Sequence, residues 1–125
     1  MRRNVRSGSP YEDVYGYCRA VRVGNTVHVS GTTAQPPNLA ESDAYEQAIA
    51  ALGVIGRALR EVGAGTPDVV RTVTYVTDIG DFDLVARAHR ETFEEVRPAA
   101  TLVEVSSLLE PAMKVEIEVY AVIED

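Results

Sequence analysis

The sequence predicts an α+β fold, a two-layer sandwich in which two helices cover one face of a mixed sheet. Three observations carry that expectation. Short runs dense in Val, Thr and Tyr occur near both ends of the chain and in its middle, the composition of half-buried strands. Two longer segments repeat apolar residues at steps of three and four, one face of a 3.6-residue helical period. The two kinds follow one another as strand-strand-helix-strand-helix-strand-strand, and two helices can cover only one face of the resulting sheet. At 125 residues, 46% hydrophobic and 25% charged, the chain has the size and composition of one domain spanning residues 1–125.

Residues 1–17 are rich in Ser, Gly, Pro and Tyr, show no periodicity and read as irregular chain. Residues 19–23 and 26–30 flank Gly24-Asn25, two β-favouring runs across a two-residue turn, the pattern of a β-hairpin. Gly31 follows, and a loop runs through Pro36, Pro37 and Asn38. Residues 42–62 form the clearest helix. Tyr45, Ala48, Leu52, Ile55, Leu59 and Val62 share one face, with Glu46, Gln47, Arg57, Arg60 and Glu61 largely off it. Asp43 and Glu46 have the spacing of a capping box, and Gly63-Ala64-Gly65 stops the helix. Gly53 and Gly56 each cost roughly 1 kcal/mol inside a helix, so they are expected where the helix approaches the sheet closely.

After a turn at Pro67-Asp68, residues 69–77 read as a strand. Asp81 or Asp83 caps a second helix reaching about Val96, with Phe82, Val85, His89, Phe93 and Val96 facing inward, and Arg97-Pro98 ends it. Strands at 100–105 and 114–123 complete the chain on either side of a loop containing Pro111. The last alternates sharply, with Val115, Ile117, Val119, Ala121 and Ile123 on one face and Lys114, Glu116, Glu118 and Tyr120 on the other. The sheet face away from the helices is expected to carry His28, Glu104, Glu116 and Glu118. Such a semi-polar surface is either solvated or, as we read it, an assembly surface.

Asp and Glu number 19 against 12 Lys and Arg, a formal charge of -7. Nucleic-acid binding through phosphate neutralisation needs clustered positive charge. The one basic cluster, Arg2, Arg3 and Arg6, reads as a mobile, solubilising tail, so nucleic acid is not an expected partner. The single cysteine, Cys18, excludes an internal disulfide framework and a Cys-rich zinc site, which fits a reducing compartment. The N-terminal charges have no apolar run behind them, and no apolar stretch is long enough to span a bilayer. The expectation is a cytoplasmic protein with neither signal peptide nor membrane partner.

No glycine-rich dinucleotide loop, phosphate loop, HExxH or GxSxG pattern is present. Two histidines leave little material for a triad or a metal centre, and neither metal nor cofactor is expected. His28 reads as a sheet-surface residue, His89 as packed at the edge of the core, and Cys18 as an inert thiol. What remains is Glu116 on the last strand and the strand end at Ser30-Gly31. A carboxylate screened from bulk water can orient or deprotonate a water molecule, and a strand-end glycine lets a ligand approach the backbone. The plainer reading of Glu116 is a solvated strand glutamate.

At these residues the sequence resembles a known family. Gly16-Tyr17-Cys18-Arg19-Ala20-Val21, Gly24-Asn25 and Val29-Ser30-Gly31-Thr32-Thr33 are similar to the N-terminal half of the YjgF/RidA proteins. The run from Arg71 to Asp78 resembles their central strand. The runs from Arg97 to Val105 and from Lys114 to Glu118 resemble their two C-terminal signatures. The resemblance implies a chorismate-mutase-like α+β fold, a homotrimer with clefts between subunits, and hydrolysis of small reactive enamines or imines to ketoacids and ammonia. It also implies cleft positions at Tyr17, Ser30, Gly31 and Glu116, with Glu116 orienting the attacking water, and ligand-facing backbone around Thr101 and Leu102.

One departure stands out. Family deaminases carry an Arg directly after Pro-Ala in the first C-terminal signature, where it grips the substrate carboxylate, and here that residue is Ala100. Alanine offers nothing in place of a bidentate Arg–carboxylate pair. Arg19 and Arg97 are the candidate replacements, and Glu12, in the loop before Tyr17, could also reach a cleft. The leading expectation is a hydrolase, or deaminase, acting on a small imine or enamine metabolite, with water positioned by Glu116. The alternatives are a non-catalytic metabolite-binding trimer, which the loss at Ala100 favours, and a ribonuclease or translation inhibitor, which the net charge disfavours.

Overall fold

In the computed structural model, which describes residues 1–124, six strands form one sheet. In chain order they are β1 (Arg2–Val5), β2 (Ala20–Val23), β3 (Thr26–Thr32), β4 (Val69–Val76), β5 (Ala99–Glu104) and β6 (Val115–Val122). They lie side by side as β1-β2-β3-β6-β4-β5. Every neighbouring pair is antiparallel except β4 and β5, which run parallel. A parallel pair needs a crossover, and the helix α3 (Phe82–Phe93) supplies it. With α2 (Ala44–Glu61) it covers one face of the sheet, giving the mixed α+β architecture expected.

The core lies between these layers. Ala48, Leu52, Ile55 and Leu59 of α2 and Val85, Ala88 and Phe93 of α3 pack with Val27, Val29, Ile117, Val119 and Ala121 of the sheet. The capping box is formed in both directions: Asp43 accepts from the Glu46 N–H at 2.8 Å, and Glu46 accepts from the Asp43 N–H at 2.9 Å. Tyr45 joins the two helices. Its hydroxyl donates to Glu91 at 2.5 Å, and the Arg87 guanidinium lies 3.7 Å over its ring.

The first seventeen residues are not irregular. β1 is an edge strand on β2, and a short helix α1 (Pro10–Tyr15) follows it. Neither leaves a periodic trace, because β1 has four residues of which only Val5 is buried. α1 is a six-residue turn started by Ser9 and Pro10. The basic cluster is held rather than loose, since Arg3 donates to the Glu61 carbonyl at 2.7 Å and Arg6 bonds Glu12 and Asp13.

Four further expectations are corrected. Gln47 is fully buried, not on the outer side of α2. Its amide donates to the carbonyls of Leu39 and Ala112 and accepts from the Lys114 N–H, stitching the helix to the segment before β6. Gly53 and Gly56 do not face the sheet; a Cβ there would meet only Arg57 at 3.9 Å and Arg60 at 3.3 Å. Buried Ala48, Ala51 and Ala58 line the inner side of the helix instead. Phe82 stands at the exposed start of α3. Glu104 pairs in register with buried Val76 and so lies on the helix side, where it accepts from the Ile79 N–H at 2.8 Å.

The opposite face carries His28, Glu116 and Glu118 together with two tyrosines. Tyr75 donates to Glu118 at 2.7 Å, and Tyr120 donates to the other oxygen of the same carboxylate. The Glu118 hydrogen bond, aided by burial, pushes the Tyr75 hydroxyl up to about 12. His28 packs edge-on against Tyr120 with ring centroids 5.5 Å apart.

Candidate functional site

β3 ends in a bulge. Val29 pairs with Val119 and Thr32 with Ile117, so β3 takes three steps where β6 takes two, and the extra residue falls at Ser30-Gly31. The bulge opens the strand end opposite Glu116. Val115 and Ile117 are buried toward the helices, so Glu116 between them points to the other face. There it packs on Gly31 so closely that a Cβ at that position would lie 2.6 Å from Glu116 Oε2. Only glycine leaves that carboxylate where it is.

Glu116 is half-buried, and its charge is shaped by its surroundings rather than by a hydrogen bond. Burial pushes its carboxyl above the ordinary range, the like charge of Glu118 adds to this, and the Arg19 guanidinium acts against it. Among the described residues no donor hydrogen-bonds its side chain, whereas Glu118 two residues on takes both tyrosines. An ionised carboxylate in that state is free to accept a proton from water.

Arg19 enters from the residue before β2 and is buried. All five guanidinium N–H groups are used. They reach Ser7 Oγ at 3.3 Å, the Gly31 carbonyl at 2.8 Å, Thr32 Oγ1 at 3.1 Å, Glu12 at 3.5 Å and the Tyr17 hydroxyl at 3.0 Å. Glu12, on α1, is equally buried. Burial raises its carboxyl, but hydrogen bonds from Ser7 and Arg6 and the charge of Arg19 outweigh this and hold it below the ordinary value. Gly16, with φ 81, ends α1 in the left-handed conformation glycine favours and turns the chain into Tyr17. Ser30 donates to the Cys18 carbonyl at 2.8 Å, which ties the bulge to the same segment.

Tyr11, Tyr17, Arg19, Gly31, Met113 and Glu116 line one cleft at this end of the sheet. The remaining sequence-predicted residues lie elsewhere. Ala100, Leu102 and Arg97 line a wider groove between α3 and β5, whose other wall includes His89 and Phe93. Thr101 edges that groove, although its hydroxyl accepts from Arg71 at 2.7 Å. His89 is bonded to Thr72 Oγ1 at 2.8 Å, and burial lowers its pKa. Arg97 has φ 54 at the turn into β5 and, among the described residues, makes no ion pair. Within one chain, therefore, the Glu116 cleft and the Ala100 groove are separate.

Ser7, Tyr11, Thr32 and Met113 also line the cleft, and the sequence alone did not single them out. Ser7 and Tyr11 belong to a segment without periodicity, and Thr32 is drawn in by a bulge that strand alternation does not announce. Among the described residues no group of three or more His, Cys, Asp or Glu side chains could hold a metal ion.

Comparison with known proteins agrees with this fold. The family model for endoribonuclease L-PSP matches residues 10–123. The chain belongs to this family. A crystal structure of a YjgF/YER057c/UK114 family member from Mycobacterium tuberculosis superposes with a TM-score of 0.91 at 42% identity, covering 98% of this chain and 100% of that one. An uncharacterised protein of Streptomyces coelicolor is 41% identical over 121 residues, 95% of this chain and 90% of the relative. The human 2-iminobutanoate/2-iminopropanoate deaminase is 28% identical over 125 residues, 98% of this chain and 90% of the enzyme. Proteins similar to this chain therefore include both a deaminase and members named only by family.

Proposed function

We propose that the protein hydrolyses a small reactive imine or enamine, with Glu116 positioning and deprotonating the attacking water. The observation that carries this reading is the Glu116 carboxylate itself, half-buried, without a hydrogen-bond donor, and set against the open backbone at Gly31. Water adds to the carbon of the protonated imine as Glu116 takes a proton from it, giving a neutral carbinolamine. Glu116 returns that proton to the nitrogen, the carbon–nitrogen bond breaks as the carbinol hydroxyl gives its proton back to the carboxylate, and ammonia and a ketone or ketoacid leave. The homologous deaminases support the reaction class.

A substrate carboxylate would need a cation, and Ala100 supplies none. Arg19 has no unused N–H for it. Arg97 and the Ala100 groove lie apart from Glu116 within one chain, so on this reading the cleft is completed by a neighbouring subunit of a homotrimer. The same facts favour a second reading, a trimer that binds a metabolite without turning it over.

The test couples purified protein to an amino-acid oxidase and follows decay of the released imine across a broad amino-acid panel. Accelerated decay that is lost in Glu116→Ala supports hydrolysis. No acceleration with any substrate, together with a metabolite retained in native mass spectrometry, supports the binding reading instead.

A further inference from the structure

Beyond Glu116, the structure assigns a positioning role to Arg19 and Glu12: the buried pair turns the Tyr17 hydroxyl into a hydrogen-bond donor facing the Glu116 cleft. The inference rests on the hydrolase reading for its kinetic consequences, but its geometry stands on its own.

Arginine has N–H groups only, so the 3.0 Å contact between Arg19 Nη2 and Tyr17 Oη can run in one direction. Tyr17 accepts, and its own proton is left over. Tyr17 and Glu116 line the same cleft, so that proton is available to a ligand there while Glu116 accepts on its other side. A donor and an acceptor so placed suit addition of water across a carbon–nitrogen double bond, where one group takes a proton and another stabilises the nitrogen.

Arg19 can hold this arrangement because nothing about it is free to move. Two of its contacts, the Gly31 carbonyl and Thr32 Oγ1, fix the bulge on which Glu116 packs. Its charge is balanced inside the protein by Glu12, which is itself tied to Ser7 and Arg6. A buried guanidinium without that carboxylate would be costly. The charged and titratable groups around Glu116 are thus Glu118 on its own strand, Tyr75 from β4, Tyr11 from α1, and Arg19 and Tyr17 from the segment before β2. Of these only Arg19 is cationic.

Two measurements test the proposal on Arg19→Gln, Arg19→Lys and the double variant Glu12→Gln/Arg19→Gln, the last removing both buried charges so that neither is stranded. The first needs no substrate: the Glu116 carboxyl is titrated by carbon NMR. Loss of the cation should move its midpoint upward by about half a unit or more in both glutamine variants, and Arg19→Lys should restore it in part. The second is imine hydrolysis, where kcat should fall about tenfold or more with KM changed less than about threefold, as in Tyr17→Phe. An unmoved Glu116 midpoint in folded variants would overturn the electrostatic role. A lower melting temperature with wild-type kcat would overturn the positioning role. If no protein form hydrolyses imines but the midpoint still moves, the hydrolase reading fails and the Arg19–Glu116 coupling survives it.

Discussion

Three residues, Glu116, Gly31 and Tyr17, are asked to make the chemistry, and each does so through its nearest neighbour. Glu116 stays unpaired because the tyrosines beside it spend their protons on Glu118. Gly31 matters for the space it leaves. Its backbone does not require glycine, but a methyl group there would sit 2.6 Å from a Glu116 oxygen. The far end of a glutamate can swing away, so Gly31→Ala should fold almost as well as wild type. Its melting temperature is expected to move by only a few degrees, while kcat/KM drops by about tenfold or more because the carboxylate is displaced. Thermal melts and imine-decay rates on the same preparation check both halves.

At the scale of elements, the site depends on how β1, α1 and the bulge of β3 are held, and these are the parts the sequence disclosed least. The long amphipathic helices and the alternating β6 announce themselves because burial repeats over many residues. β1 buries one side chain in four, and α1 buries Glu12, a charged residue that hydropathy reads as surface. The candidate residues Tyr17, Gly31 and Glu116 were legible through motif resemblance. The reason Arg19 is occupied was not, because its five partners come from four separate segments. Gln47 repeats the lesson in α2, polar in sequence yet buried as a bracket for the strand that bears Glu116. Gln47→Ala leaves the Lys114 N–H and the Leu39 and Ala112 carbonyls without their partner. A loss of roughly 2–4 kcal/mol is expected, at about 1–3 kcal/mol per stranded buried group with partial relaxation. Denaturant unfolding should show a lower midpoint with the slope retained.

For the whole molecule, the sheet separates two half-sites. Glu116 pairs with Tyr75, which pairs with Val103, on the open face. Ala100 pairs with Thr72, three residues back along β4, on the helix face. The two line different clefts of one chain, so on the proposed reading their joint action calls for a second copy. Sedimentation equilibrium should give three times the chain mass, and specific activity should fall on dilution as subunits part. A fully active monomer would remove the neighbour from the site. The charge of -7 belongs to this scale as well, since it disfavours a polyanionic partner across the whole surface.

The pH dependence of kcat/KM for imine hydrolysis, compared between wild type and Glu116→Gln, bears most directly on the proposed role of Glu116. The carboxylate must be ionised to take the proton from water, and burial holds its pKa above the ordinary range. Wild-type activity should therefore be full at higher pH and fall through a midpoint above that range as the solution is acidified. Glu116→Gln should be slower by about a hundredfold or more and lack this limb. Equal rates with the same acid limb in both proteins would contradict the assignment of Glu116 as the base.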